Sequence, residues 1–326
     1  MKVHFVAVGE ASDYFINMVK LLIYSLRSNG GIYQNAPFTF VTNGVSIPKK
    51  QAQDIQQKFD NVRLRTMPRL GTMPLINKYN AFYAVDDHSY DVMILIDCDI
   101  VILDNLEGIA DLDCENVCFK ATAAGLSVVE QYGKLLKNHI NFNEEEIRAS
   151  QEDCFSAKYP LFNSGMLVLS RDTVVAIRDD TVKLCQQLQQ VQTKDLSSYL
   201  KYIYNSNLYL NKIRNHRYLK PLARYLLPTI GIYYPLWMSE QLGLAMAILK
   251  NKVPYEILPQ KFNWHHSYAL ENGSLPPTFH YMKGKYKIDR KFMFEGSWIE
   301  EYLNSSSPLQ KSLANTVKSY KLEYGN

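Results

Sequence analysis

Hydrophobic positions along this chain form short continuous runs that alternate with helically spaced stretches. The runs are rich in β-branched residues, which predicts buried strands. They lie at residues 3–9, 37–43, 61–67, 117–123, 165–170 and 253–258, and a further run begins at Val92.

The stretches between these runs predict helices. In the first stretch, apolar residues recur at helical spacing up to Leu26. Ser12 or Asp13 can cap this helix, and Gly30 with Gly31 can end it. Further helices are predicted near 48–59, 75–85, 172–191 and 238–250, with helical segments up to about residue 148. The alternation predicts an α/β fold, with a mostly parallel central sheet flanked by helices and a less regular C-terminal third.

The composition is that of a globular protein, since 47% of the 326 residues are hydrophobic and 21% are charged. The net charge of +4 is too small to indicate a nucleic-acid partner. Five cysteines without a CxxC pair indicate a reducing compartment rather than a disulfide framework or a zinc site. The first residues, MKVHFVAVGE, resemble a strand more than a signal peptide, and no apolar run approaches the length of a membrane span. We therefore expect a cytoplasmic protein.

Two carboxylates, Asp97 and Asp99, interrupt the apolar stretch VMILIDCDIVILDN at 92–105. Burying two like charges at the end of a strand is costly unless a positive group meets them. Ligands gather at the carboxyl ends of the strands in an open parallel sheet, and a pair spaced i, i+2 there can direct both side chains at one point. Mn²⁺ and Mg²⁺ prefer such oxygen ligands. The pattern favours a metal site over a simple turn, with Cys98 packed into the core.

One class of enzyme that uses such a pair is the haloacid-dehalogenase-like phosphatases. Their nucleophile motif fits LIDCDIV, with Asp97 as the nucleophile, and Ser170 fits their second motif. Their chemistry also needs an acidic pair at a later strand end to hold magnesium. Downstream of Asp180, the adjacent acids are Glu300 and Glu301, in a stretch that predicts an amphipathic helix. The phosphatase is therefore the weaker alternative.

A second class accounts for four motifs that occur in order: the N-terminal strand and helix, IDCDIV, FNSGMLVLS (162–170), and SEQ (239–241) followed by FHYMKGKYK (279–287). Across these motifs the chain resembles the metal-dependent nucleotide-sugar glycosyltransferases of the GT-A fold, in particular the family of glycogenin and the bacterial lipooligosaccharide galactosyltransferases. The resemblance implies a GT-A (Rossmann-like) fold. It also implies transfer of a sugar from a nucleoside-diphosphate sugar, with UDP-sugar expected, to a glycan, glycolipid or protein acceptor.

The resemblance implies a metal-binding set. Asp97, Asp99 and His280 would bind Mn²⁺ or Mg²⁺, and Asp97 would also contact the donor. His280 would bind as a neutral imidazole, so activity should fall as it becomes protonated. A hydrogen-bonded strand histidine is the alternative for His280, and His265 and His266 are weaker candidates because no phosphate-binding residues follow them closely.

Residues spread along the chain are implied as donor contacts. Breaking a sugar–diphosphate bond builds negative charge on the leaving oxygen, which a divalent ion and lysines stabilise more in the transition state than in the ground state. The implied contacts are Ala7, Val8 and Tyr14 for uracil, Lys78 for the nucleotide, Asn163 and Gly165 for the donor sugar and acceptor, and Gly284 with Lys285 or Lys287 for the diphosphate.

Ordinary structural roles also fit some of these positions. Lys78 fits a solvated helix lysine, and Asn163 fits a turn residue before a strand. Gly165 would leave room for a sugar. The last motif has one residue more than the family's usual H-x-x-G-x-x-K-P-W and lacks Pro-Trp, which leaves both Lys285 and Lys287 as candidates.

Candidate catalytic residues are Glu240 and Gln241, which match the family's acid–glutamine pair beneath the sugar, with glutamate in place of the usual aspartate. Inversion would need a base facing the acceptor hydroxyl, for which Asp153 and Glu240 are candidates. Retention needs no such base, and the resemblance favours it. A non-catalytic nucleotide-sugar-binding module is a further alternative, although the intact motifs argue against it. A dinucleotide-binding oxidoreductase is weaker still, because AVGEASD lacks GxGxxG.

The expected organisation is a glycosyltransferase domain over 1–290 and a C-terminal helical extension over 291–326. Within the domain, 196–239 contains no Asp or Glu and interleaves cations with aromatic residues. This composition suits an anionic surface, either membrane headgroups, giving peripheral membrane association, or a phospholipid-linked glycan acceptor. The alternative is an ordinary acceptor-side insertion whose tyrosines stack on sugars. The cations are Lys201, Lys212, Arg214, Arg217, Lys220 and Arg224.

Overall fold

The strands of the computed structural model follow the predicted hydrophobic runs. The structure describes residues 1–71, 74–113, 115–123, 162–194, 239–264, 275–281 and 292–324. Within these ranges the strands are β1 Val3–Gly9, β2 Phe38–Asn43, β3 Val62–Met67, β4 Val92–Ile96, β5 Ile100–Ile102, β6 Phe119–Ala123, β7 Phe162–Ser170, β8 Tyr255–Leu258 and β9 Thr278–His280. Seven of them form one sheet in the order β3-β2-β1-β4-β7-β6-β8, and β5 pairs with β9.

The helices flank this sheet. They are α1 Asp13–Asn29, α2 Lys49–Lys58, α3 Ala81–Ala84, α4 Arg171–Lys194, α5 Ser239–Lys250, α6 Phe292–Glu295, α7 Ile299–Leu303 and α8 Pro308–Tyr324, with 3₁₀ helices at Gly31–Tyr33, Pro74–Asn80 and Gln260–Asn263. The predicted caps of the first helix are confirmed, because the Ser12 side chain accepts from the Phe15 N–H and Gly30 is the C-cap. Within the described ranges, no helix is both long and apolar enough to cross a membrane.

Strand direction brings distant motifs together. Six strands of the sheet run parallel and β7 runs against them, which confirms the mostly parallel sheet. Because β7 opposes β4, the first residues of β7 lie beside the last residues of β4, with Ile96 opposite Met166. The antiparallel pair β5–β9 places Ile100 opposite His280. The carboxyl ends of the parallel strands are therefore where Asp97, the start of β7 and the end of β9 meet.

Both faces of the sheet are buried, as expected where helices cover a parallel sheet. Along β4, Ile94 and Ile96 belong to the hydrophobic cluster that contains α1, whereas Met93 and Leu95 belong to the cluster with α4 and α5. The C-terminal helix α8 shares the α1 cluster, and Tyr320 packs on the ring of Tyr24 at 5.5 Å between centroids. The predicted helical C-terminus is confirmed, and it packs against the core of the sheet.

The region predicted as a helix near 75–85 differs from a regular α-helix. It forms the 3₁₀ helix Pro74–Asn80 followed by the single turn α3. Two asparagine side chains bond the preceding loop: Asn77 Oδ1 accepts from the Leu70 N–H, and Asn80 Nδ2 donates to the Pro68 carbonyl. Asparagine favours such side chain–backbone bonds over regular helix, which explains the shorter, tighter winding.

A buried histidine in β1 predicts a pH dependence of stability. His4 is enclosed by the core and hydrogen-bonded to Thr39 Oγ1 at 2.8 Å, and burial, with a smaller contribution from Arg63, lowers its pKa from 6.5 to about 4. Between these values the unfolded chain binds a proton that the folded chain does not. Stability is therefore lost as pH falls through this window, by about 2 kcal/mol between roughly pH 8 and pH 5.

Urea unfolding of wild type and of a His4→Gln variant at these two pH values checks this expectation. The variant should lose about 2 kcal/mol less stability on acidification than wild type. His88, which is exposed, offers the matched control, and His88→Gln should behave as wild type. Equal acid sensitivity of His4→Gln and wild type would contradict the assignment.

Candidate active site

Asp97, Asp99 and His280 converge where β4 ends and β5 pairs with β9. Each offers one ligand atom, and the three atoms lie within 4.8 Å of one another, the one such group of three or more His, Cys, Asp or Glu among the described residues. The Asp97 N–H donates to the Gly165 carbonyl at 2.8 Å, and the Tyr281 N–H donates to the Asp99 carbonyl at 3.0 Å. Backbone bonds from both neighbouring strands therefore fix the carboxylate pair.

The His280 ring stands between the carboxylates and a buried amide. Its Nε2 lies 3.2 Å from Asp99 Oδ1 and 3.9 Å from Asp97 Oδ2, while Nδ1 lies 3.1 Å from Asn263 Oδ1. Burial lowers the pKa of His280, but the charges of Asp99 and Asp97 outweigh burial and raise it. Two carboxylates and an imidazole that draw positive charge to one point fit a divalent cation.

Lys78 supplies a second positive charge. Its side chain is buried, with Nζ 2.5 Å from Asp97 Oδ1 and hydrogen-bonded to the Ser164 carbonyl and hydroxyl. Burial lowers the pKa of Lys78, but Asp97 and Glu240 outweigh it and raise the pKa, so the lysine stays charged. The alternative of a solvated helix lysine is wrong, because Lys78 is 9% exposed.

Glu240, at the start of α5, is enclosed beneath this site. Its Oε1 accepts from Ser164 Oγ at 2.6 Å, and its Oε2 accepts from the Tyr79 hydroxyl at 2.9 Å. Burial raises the pKa of Glu240, partly offset by the charge of Lys78. The neighbouring Gln241 is also buried, and its Oε1 has no hydrogen-bond partner in the part of the chain that the structure describes.

The start of β7 forms the wall beside the carboxylates. Asn163 Oδ1 accepts from the Gly165 N–H at 2.9 Å, an Asx-type bond that fits a turn residue as well as a ligand contact. A Cβ on Gly165 would lie 2.7 Å from Asn263 Nδ2 and from Asn263 Oδ1. The space left by this glycine is therefore filled by a buried amide.

The end of β1 lies next to the same site. Cys98, between the carboxylates, is buried and donates from Sγ to the Val8 carbonyl at 3.4 Å, which confirms its expected packing. Val8 is half-buried, and Tyr14 is 38% exposed. Ala7 is fully buried, so its side chain has no access to a ligand.

Not every predicted residue is described by the structure. Asp153, His265, His266, Gly284, Lys285 and Lys287 lie outside the described residues, as does 196–238 of the basic segment. Three residues of the site are not predicted by the sequence patterns: Tyr79, Ser164 and Asn263. Tyr79 and Ser164 adjoin Lys78 and Asn163 along the chain, whereas Asn263 carries no spacing signal.

The fold and the site together define a class. A parallel Rossmann-like half-sheet, one reversed strand and a carboxylate pair at the strand ends are the features of a GT-A glycosyltransferase. By sequence, residues 36–279 match the family described as glycosyl transferase family 8. The chain belongs to this family and is a glycosyltransferase, which confirms the resemblance and decides against the phosphatase and the oxidoreductase.

Solved structures agree on the fold. The galactosyltransferase LgtC, in complex with donor and acceptor sugar analogs, aligns with a TM-score of 0.53 and 12% identity over 99% of this chain and 100% of that one. The bifunctional glycosyltransferase WbbM, in its apo form, aligns with a TM-score of 0.51 and 14% identity over 97% of this chain. This chain spans about half of WbbM, 51% of its length. No curated protein sequence matches the chain.

Proposed function

We propose that this protein transfers a sugar from a UDP-sugar to a glycan, glycolipid or protein acceptor, with Mn²⁺ or Mg²⁺ as cofactor. The observation that carries the proposal is the convergence of Asp97, Asp99 and His280 on one point beside Lys78. Such a set of ligand atoms binds a hard divalent cation, and the adjacent Lys78 ammonium suits an anionic ligand. When bound, the metal would supply electrostatic stabilisation of the leaving diphosphate.

The residues of the chain would bind and orient the donor. Lys78 is a fixed, buried cation, and the charges of Asp97 and Glu240 keep it protonated. Its field would therefore act strongly at the diphosphate. Gln241 Oε1 would accept a hydrogen bond from a sugar hydroxyl, and this role is supported by the lack of any partner for this buried oxygen among the described residues. Asn163 would border the sugar, and Gly165 would contribute only its backbone, because the Asn263 amide fills the space that a side chain would occupy. Gly284 with Lys285 or Lys287 completes the diphosphate site in this proposal.

For the nucleotide we propose the end of β1. The adjacency of the Val8 carbonyl to Cys98 supports uracil binding beside the carboxylate pair. Tyr14 offers an exposed aromatic side chain at the start of α1, suited to stacking. Because the side chain of Ala7 is buried, Ala7 would contact uracil through its backbone alone.

We propose that transfer proceeds with retention of the anomeric configuration. A base for inversion must reach the acceptor hydroxyl, but both Glu240 oxygens accept hydrogen bonds from Ser164 and Tyr79, and the residue is 4% exposed. These contacts support a role for Glu240 in holding Lys78 and Ser164. Asp153 remains the candidate base for inversion. Proton NMR of the first-formed product, recorded before mutarotation, distinguishes the two outcomes.

A screen of nucleotide sugars with Mn²⁺ tests the function. We expect one UDP-sugar to bind in calorimetry and to be hydrolysed slowly without acceptor, because water can take the place of the acceptor hydroxyl. Donor hydrolysis that is lost with EDTA and restored by Mn²⁺ supports the proposal. Tight donor binding with neither hydrolysis nor transfer to any glycan would favour the non-catalytic binding module instead.

The basic and aromatic composition of 196–239 supports an acceptor at an anionic membrane. A cytoplasmic enzyme would bind such a membrane peripherally through this segment. The protein should co-sediment with liposomes that contain anionic lipid, and high salt should release it because charges more than about 10 Å apart are largely screened near 0.1 M salt. Changing Arg214, Arg217 and Lys220 to Glu should abolish sedimentation. Failure to bind such liposomes at low salt would favour a soluble glycan or protein acceptor.

The division into 1–290 and 291–326 is part of the proposal.

A further inference from the structure

A buried asparagine, Asn263, stands behind the imidazole of His280. It ends the 3₁₀ helix Gln260–Asn263 and is 1% exposed. Its Nδ2 donates to Thr122 Oγ1 at 3.2 Å, and its Oδ1 lies 3.1 Å from His280 Nδ1. Because Thr122 takes up the donor end of the amide, the end facing His280 is the oxygen, which accepts a hydrogen bond from the Nδ1–H.

This hydrogen bond determines which nitrogen of His280 can bind a metal ion. A neutral imidazole that carries its proton on Nδ1 has its lone pair on Nε2. Nε2 is the nitrogen that faces Asp99 Oδ1 at 3.2 Å and Asp97 Oδ2 at 3.9 Å. The same contact therefore orients the ring and directs the ligand atom toward the carboxylate pair.

We propose that Asn263 is a positioning residue that holds His280 in the tautomer able to bind a metal ion through Nε2, and that Gly165 lacks a side chain to make room for the Asn263 amide. The inference rests on the metal site proposed above. It adds a residue from outside the recognised motifs and gives a physical reason for the glycine.

The reason for the glycine lies in the packing around the amide. An ideal Cβ at Gly165 would approach Asn263 Nδ2 and Oδ1 to 2.7 Å and Cγ to 3.0 Å, closer than carbon atoms approach such groups. The amide cannot retreat without breaking its bonds to Thr122 and His280. A methyl group at position 165, on β7, would thus displace the Asn263 amide and, through its hydrogen bond, the His280 ring on β9.

Calorimetric titration of the full chain with Mn²⁺ alone tests the role of Asn263. An Asn263→Asp variant keeps an acceptor for the Nδ1–H and should bind Mn²⁺ within about threefold of wild type, whereas Asn263→Leu, of similar volume, should lose about 10–100-fold. A packing role would give the opposite order, because leucine fills the site and a buried carboxylate is costly. Equal affinity of Asn263→Leu and wild type would overturn the inference.

A second variant keeps the test decisive if Asn263→Leu does not fold. Thr122→Val leaves Asn263 in place but removes the acceptor of its Nδ2, so the amide loses its fixed orientation. Circular dichroism should show a folded protein, and Mn²⁺ affinity should fall several-fold, toward the lower end of the roughly 10–100-fold range for outer-shell partners. Unchanged affinity of folded Thr122→Val would also overturn the inference.

A double-mutant cycle tests the link to Gly165. Gly165→Ala and Asn263→Ala should each weaken Mn²⁺ binding, and the double variant should be no weaker than the poorer single one, since both act through the same hydrogen bond. Additive losses would overturn the link. Failure of wild type to bind Mn²⁺ at all would overturn the proposed metal site, whereas wild-type binding with an unaffected Asn263→Leu variant would overturn only the role of Asn263.

Discussion

An Asp99→Asn variant should bind UDP equally well with and without Mn²⁺, and its transferase activity should fall by more than about 100-fold, the upper end of the loss caused by outer-shell changes around a metal. The reason is that Asp99 is 4% exposed and points the oxygen nearest to His280 at the centre of the cluster. An amide of the same shape keeps the packing but removes the negative charge that holds the cation. Calorimetry of UDP binding with Mn²⁺ and with EDTA measures the effect.

The same change should not destabilise the protein without metal. Asp97 and Asp99 are like charges directed at one point, so removing one of them relieves repulsion at alkaline pH, where His280 is neutral and forms no ion pair with Asp99. We therefore expect the thermal midpoint of metal-free Asp99→Asn to equal or exceed that of wild type. Asp172→Asn, at a carboxylate whose side chain is 84% exposed, is the matched control and should keep full Mn²⁺ dependence. A retained Mn²⁺ effect on UDP affinity in Asp99→Asn would remove Asp99 from the metal site.

The parts of the site that could be predicted from the sequence are those whose position follows from strand order. Asp97 and Asp99 end an apolar run, and the start of FNSGMLVLS begins another, so both had to lie at strand termini. His280 was reached through the family resemblance. The reversal of β7, which brings Gly165 against the Asp97 N–H, has no local signal, because a buried strand has the same composition in either direction.

The remaining contacts depend on side chains that are distant along the chain. Asn263 lies 17 positions from His280 and 141 from Thr122, and all three meet only when β6, β9 and the 3₁₀ helix Gln260–Asn263 are assembled. Tyr79 reaches Glu240 across 161 positions. An asparagine after LPQKF or a tyrosine in INKYN is a common residue in an ordinary context, so no spacing rule identified either of them as part of the site.

Burial decides between the two roles that the sequence allows for Lys78. Its position on a helix before the carboxylates fitted both a ligand contact and a solvated side chain. The structure encloses it between Asp97, Ser164 and, by charge, Glu240. A buried ammonium among carboxylates compensates the same negative charge that would attract a metal ion, so a bound metal ion would compete with Lys78 for Asp97.

A Lys78→Met variant should therefore lose stability and at the same time bind metal more tightly. Removing one partner of a buried ion pair leaves an uncompensated charge, and we expect a loss of about 3 kcal/mol, the lower end of the range for such pairs because the Asp97 side chain is 30% exposed. Without the ammonium, Asp97 has more negative charge to offer. Mn²⁺ affinity in the absence of nucleotide should rise by at least about tenfold, or about 1.4 kcal/mol.

Saturating Mn²⁺ should then raise the thermal midpoint of Lys78→Met by more than it raises that of wild type, since a ligand stabilises the folded state in proportion to the logarithm of its affinity. UDP affinity in the presence of Mn²⁺ should move in the opposite direction and fall, because the variant has lost a cation beside the diphosphate. Lys120→Met is the matched control: the Lys120 side chain is 11% exposed and pairs with Glu256 at 3.0 Å, away from the cluster, so neither Mn²⁺ nor UDP affinity should change. Weaker Mn²⁺ binding in Lys78→Met than in wild type would mean that Lys78 supports the metal site instead of opposing the cation.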